Sequence, residues 1–188
     1  MKSTAVADNA MPFQLASTER SGAVGEYRMP AKVLHWLTAA LVFFLVASGV
    51  VATQLGEGWG SDLLFGLHKL TGAVTLAVVL VRLGYRLLRS MPRPQKQPRS
   101  RLFLQWTLYG IVILVPLLGW AGASDFNSRD MLFGYSLPAI FPESTGYGDL
   151  LLHLHAYLAF GLLVIVALHI GAAMHDYMIG DQPSEPEK

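Results

Sequence analysis

Four long apolar stretches, set off by polar connectors, dominate the pattern of this chain. They run from about Val33 to Thr53, Phe65 to Leu88, Leu102 to Ala123 and Leu150 to Met174. About 20 consecutive apolar residues suffice for a helix to cross the hydrocarbon core of a bilayer, and each stretch reaches that length. Inside lipid only helices or closed barrels satisfy every backbone N–H and C=O, and runs this continuous predict helices. Pro116 lies within the third and predicts a kink there. The expected fold is all-α, an integral membrane four-helix bundle. Residues 1–28 read as a polar N-terminal tail, 29–178 as the transmembrane domain and 179–188 as a C-terminal tail. The first 30 residues lack the apolar core of a cleavable signal peptide, so that tail is expected to be disordered or to lie on the membrane surface.

Composition agrees with a membrane protein. The chain is 53% hydrophobic and 14% charged, where a soluble domain carries about 25% charge. The net charge of +1 says little because the charges are segregated. Arg86, Arg89, Arg93, Lys96, Arg99 and Arg101 crowd the connector after the second stretch, and Lys2, Arg20, Arg28 and Lys32 precede the first. The other two connectors hold only Lys69 and Arg129, beside Glu57, Asp62, Asp125, Asp130, Glu143 and Asp149. The excess of Lys and Arg on one side predicts both termini and the middle connector in the cytoplasm. Trp59, Trp120, Tyr135 and Tyr147 then fall near the outer interface, as an aromatic belt would. The connector from Ser124 to Asp149 is long for a bundle. It reads equally as a cap over the outer end or as a solvated loop.

The candidate chemistry lies in the histidines. His155 and His169 stand 14 residues apart on the fourth stretch, which returns them to within about 40° of one face and about 21 Å apart along the axis. Ionisable groups in a membrane helix are costly and mark functional sites. With the predicted orientation, His35 lies at the inner level with His169, and His68 lies at the outer level with His155. Two levels of facing imidazoles suit two haems, each ligated on both sides by neutral histidine. Gly72 lies one turn after His68, and Gly49 stands 14 residues after His35, where a missing Cβ lets a macrocycle approach the backbone. Arg82, 14 residues after His68, reaches the inner level, where it either pairs with a haem propionate or snorkels to the headgroups. His153 competes with His155 as the outer ligand, while His175 reads better as a surface residue. Zinc is a weaker rival, since no Asp or Glu lies within the spans to complete its ligand set. The absence of cysteine excludes disulfides, thiolate metal sites and haem attached through Cys-x-x-Cys-His.

These residues carry a resemblance. KVLHWL on the first helix, GLHKLTG with its trailing VRLGYRLL on the second, FGYSLP (Phe133 to Pro138) in the last outer loop and the His-x13-His of the fourth resemble the bacterial cytochrome b561 family. Those are four-helix di-haem membrane proteins akin to the cytochrome b subunits of nickel-iron hydrogenases. The resemblance covers about residues 27 to 180. It implies two b-type haems held by His35, His68, His155 and His169, with quinone, expected to be ubiquinone, as substrate or bound acceptor. Some members of the family are suggested to oxidise superoxide at the outer face; in others the cytochrome is the membrane subunit of a separate dehydrogenase.

Both functions stay open at this point. Bis-histidine irons have no open position, so the expected chemistry is electron transfer between an outer donor and membrane quinone. For superoxide as donor, Lys69 and Arg129 are the only outer cations, and six acids surround them. A relay subunit serving a redox partner protein is the alternative. Lipid is the surrounding medium, and no nucleic-acid partner is expected. Trp36, Trp106, Tyr109 and Trp120 either line a quinone site or anchor span ends at the interface. A transporter finds no support, because no carboxylate sits mid-membrane and no inverted repeat is evident.

Overall fold

The computed structural model describes the backbone of residues 11–88 and 99–180, and the side chains of 29–88, 99–175, 177 and 178. Four helices appear in the expected order: α1 (Met11–Gln54), α2 (Trp59–Leu88), α3 (Arg99–Asp125) and α4 (Gly148–Gly180), with a single 3₁₀ turn (Leu132–Gly134) between α3 and α4. Each contains a segment long and apolar enough to cross a membrane, Met29–Gln54, Trp59–Leu88, Arg99–Asp125 and Gly148–His175. The all-α fold is as expected, and every segment outruns its apolar core by a few residues.

The N-terminal segment, expected to be disordered or surface-lying, is helical from Met11 and joins the first span without a break. Its Ala, Leu, Glu and Arg residues favour helix, and the helix runs on through Pro30. α4 also continues past Met178 to Gly180. The helix α3 passes through Pro116 without interruption.

α1 packs along α2 and α3 along α4, while α2 also meets α3. The buried apolar core is small, with Ala52, Val79, Tyr109 and Leu162 among its members, whereas Phe43, Val81, Tyr157, Phe160 and Val164 are exposed on the outside. That inversion is what lipid permits, because apolar surface facing acyl chains carries no hydration cost. Buried hydroxyls close their own hydrogen bonds: Thr38 donates to Leu34 O at 2.6 Å and Thr75 to Thr71 O at 2.7 Å. Ser61 at the start of α2 donates to Ala52 O at 3.0 Å, fastening the tight turn from α1.

The connector between α3 and α4 is a built cap, which settles the choice left open by composition. α3 ends in a Schellman motif: Asn127 is left-handed (φ 51°), and the N–H groups of Asn127 and Ser128 reach Ser124 O and Ala123 O. The carboxylate of Asp125 is buried (5% exposed) and accepts from Thr145 N–H, the Thr145 hydroxyl and Gly148 N–H. It thereby ties the end of α3 to the start of α4. Trp120 Nε1 donates to Pro138 O at 2.8 Å. Lys69 Nζ donates to Ser128 O, Ser128 Oγ and Asp130 O at 2.8, 3.3 and 3.0 Å, pinning the cap to α2. Leu132 fills the notch left by Gly66, where a Cβ would lie 3.0 Å from it. In the Phe-Gly-x-x-x-Pro stretch, Phe133 and Gly134 both adopt left-handed backbone (φ 64° and 74°), which turns the chain back over the bundle.

Candidate cofactor site

The bundle holds a cavity of about 1050 Å³ beneath the cap, lined by all four helices and mostly apolar. Ligand sites usually measure about 300–1,000 Å³, so the space suits a large flat apolar group. His68 and His155 face each other across it, with ring centroids 5.9 Å apart and planes at 82°. At the opposite end of the bundle His35 and His169 form a second pair, 6.3 Å apart at 64°, beside a smaller cavity of about 370 Å³. The four histidines thus meet as the depth argument expected, each pair joining different helices.

Each histidine of the cap-end pair is held in the same way. His68 Nδ1 donates to Leu45 O on α1 at 3.0 Å, with Ser48 Oγ at 3.3 Å, and His155 Nδ1 donates to Val115 O on α3 at 2.8 Å. A carbonyl can only accept, so Nδ1 carries the proton and Nε2 is left bare. Four residues after each acceptor stands a glycine. A Cβ on Gly49 would lie 3.1 Å from His68 Cε1, and one on Gly119 would lie 2.9 Å from His155 Nδ1. In a helix the carbonyl of residue i lies beneath residue i+4, so removing that side chain opens the carbonyl to the ring. Gly49 therefore gives His68 room for this bond, and it also lines the cavity. Gly72 lines the cavity, but its Cβ position is an ordinary 3.9 Å from Leu45.

The second pair is held differently. Arg82 Nη2 lies 2.9 Å from His35 Nδ1, and its guanidinium stacks over Tyr109, 5.4 Å from the ring centroid. Arginine has no acceptor, so here His35 Nδ1 accepts and its proton sits on Nε2. Arg86, one turn on, stacks over Trp106 and Tyr109 at 5.2 and 5.7 Å. Of the two readings open for Arg82, headgroup snorkelling is not what the structure has; the guanidinium points inward, to the histidine.

The remaining candidates fall outside. His153 is exposed, bonds its own helix at Asp149 O (2.7 Å) and leans on Tyr157, so it does not compete with His155. His175 is exposed. Trp36 lines the smaller cavity beside His35, while Trp106 and Tyr109 carry the arginines and Trp120 holds the cap. Gly119 and the carbonyls of Leu45 and Val115 were not legible beforehand. The one available signal was a glycine three residues after a proline in an apolar span. Among the described residues no cluster of three or more His, Cys, Asp or Glu could hold a metal ion alone, which fits poorly with zinc.

The bundle of four membrane-length helices thus carries two pairs of facing histidines, one toward each end. The family model described as prokaryotic cytochrome b561 matches residues 26–182, and the chain belongs to that family. It is similar to cytochrome b561 homolog 2 of Escherichia coli (strain K12), 24% identical over 161 residues that cover 81% of this chain and 85% of that protein. No solved structure matches. Membership makes the chain a multi-pass bacterial membrane cytochrome that binds haem b and carries electrons.

Proposed function

We propose that the chain holds two haems b, one between His68 and His155 and one between His35 and His169, and passes electrons across the bacterial inner membrane to or from quinone. The supporting observation is the spacing of the rings. Two imidazoles bound on opposite sides of one metal at about 2 Å each have centroids about 6.3 Å apart, and the pairs measure 5.9 and 6.3 Å. A haem iron held this way supplies a one-electron couple with no open coordination position. The protein's own part is to orient each ring through its second nitrogen and to exclude water with the cap and the apolar walls. With the basic connector in the cytoplasm, His68 and His155 lie at the outer level and His35 and His169 at the inner.

For the donor, the structure favours a redox partner protein over superoxide. Both cap-end cations are engaged: Lys69 by cap oxygens, and Arg129 by Glu143 at 2.6 Å and Asn127 at 2.7 Å. Six carboxylates share that end with them, a field that repels an anion rather than steering it inward.

The test is a haem-to-protein ratio on wild type and on His35→Ala, His68→Ala, His155→Ala and His169→Ala. Two haems b in the wild type and one fewer in each variant are expected. A variant that keeps both would remove its histidine from the ligand set. Mixing oxidised protein with superoxide should leave the haem spectrum unchanged; rapid reduction would restore superoxide as the donor.

A further inference from the structure

Unequal preparation separates the two histidine pairs. His68 and His155 each present a bare Nε2, because a backbone carbonyl takes the proton on Nδ1. His35 presents no bare nitrogen at all while Arg82 is in place: its Nδ1 lone pair is occupied by the guanidinium at 2.9 Å, and its proton lies on Nε2. Coordination through either nitrogen requires Arg82 to leave.

Among the described side chains Arg82 also has no counter-ion. Every carboxylate among the described side chains stands at the cap end, on Glu57, Asp62, Asp125, Asp130, Glu143 or Asp149, whereas Arg82 sits at the other end with Arg86 as its neighbour. A partly buried cation beside a like charge is stabilised by an arriving anion. Tyr109 holds the guanidinium by its face, which leaves its N–H edge to exchange one acceptor for another.

Taking the two-haem reading above as its basis, we propose that Arg82 is a carboxylate-operated latch on His35. Were the guanidinium drawn to a propionate, His35 Nδ1 would be freed to take the proton and Nε2 would be left bare to hold the group. No proton leaves the imidazole overall; it moves from Nε2 to Nδ1. The inner site therefore selects porphyrins that carry free carboxylates, and the outer site makes no such demand. Arg82 is a positioning and selectivity residue, acting through His35 rather than on the iron.

The test uses the full chain, made by cell-free synthesis into lipid nanodiscs supplied with either haem b or its dimethyl ester. Pigment per chain is counted from absorbance and protein mass. Wild type should take two haems b but one ester. That single ester should persist in His35→Ala and vanish in His68→Ala, which assigns it to the outer pair and shows that the bundle has folded. Arg82→Leu, which frees His35 without any anion, should raise ester uptake from one to two. Two esters in the wild type, or one in Arg82→Leu, would overturn the latch while leaving the two-haem reading intact. Fewer than two haems b in the wild type would overturn that reading itself, and the latch with it.

Discussion

Replacing Gly119 with alanine adds one methyl group where the structure has no room for it. The new Cβ would stand 2.9 Å from His155 Nδ1 and 3.0 Å from Cε1, against an ordinary contact of 3.4 Å or more. The ring must therefore retreat by about half an ångström. Its hydrogen bond to Val115 O, now 2.8 Å, would stretch to about 3.3 Å, at the weak end of the range. Overpacking of this kind costs about 1–3 kcal/mol, which corresponds to about 5- to 150-fold in an equilibrium constant. We expect that loss in the retention of the outer haem, measured as transfer to a soluble competing haem-binding protein. Gly72→Ala is the matched control, since it lines the same cavity and its Cβ meets only Leu45 at 3.9 Å. Gly49→Ala, with its nearest contact at 3.1 Å, should fall between the two. If Gly119→Ala holds its haem as tightly as Gly72→Ala, the seat does not position His155 and the reasoning fails.

Further tests address the cap. Lys69→Met removes three donated hydrogen bonds and should speed amide exchange across residues 128–138, by an amount that matches about 1.5–3 kcal/mol for charge-assisted bonds; unchanged protection would mean that Leu132, Trp120 and Asp125 hold the cap without it. Asp125→Asn places an NH₂ against a ring of donors from Thr145 and Gly148, leaving one N–H unsatisfied whichever way the amide turns. A cost of about 1–3 kcal/mol is expected, read as a lower melting temperature. Arg129→Gln breaks a partly exposed ion pair and should change stability by under about 1 kcal/mol; a drop as large as that of Asp125→Asn would show that this pair, too, is structural. Trp120→Phe loses one donor to Pro138 O and should cost about 1 kcal/mol in the same melting assay.

The four spans were legible because an apolar run longer than a soluble helix needs has one economical explanation, the bilayer. The pairing of His155 and His169 with partners on α1 and α2 was legible from a 14-residue spacing and the direction in which each helix enters the membrane. Other features were beyond a local reading. Gly119 meets His155 across 36 positions of chain, and only its place three residues after Pro116 marks it out from Gly110, which has open space around its Cβ position. The destination of Arg82 depended on where His35 and Tyr109 meet it, which no helical period on α2 encodes. The cap resisted for a different reason. Its aromatic, Gly and Pro composition suits both an ordered and an irregular loop, and the order comes from Asp125 and Lys69, whose acceptors and donors lie on other segments.

The two glycine seats also divide the molecule. His68 of α2 rests on α1, and His155 of α4 rests on α3, so each ring is anchored inside its own helical hairpin. The first hairpin carries His35 and His68 and the second His155 and His169, so neither holds a complete ligand pair. The hairpins touch mainly through α2 and α3. On the proposed two-haem reading, a prosthetic group reaching from one hairpin to the other would be the fastener that closes the bundle. Severed within residues 89–98, the chain should survive as two colourless halves that regain their red colour only when made together.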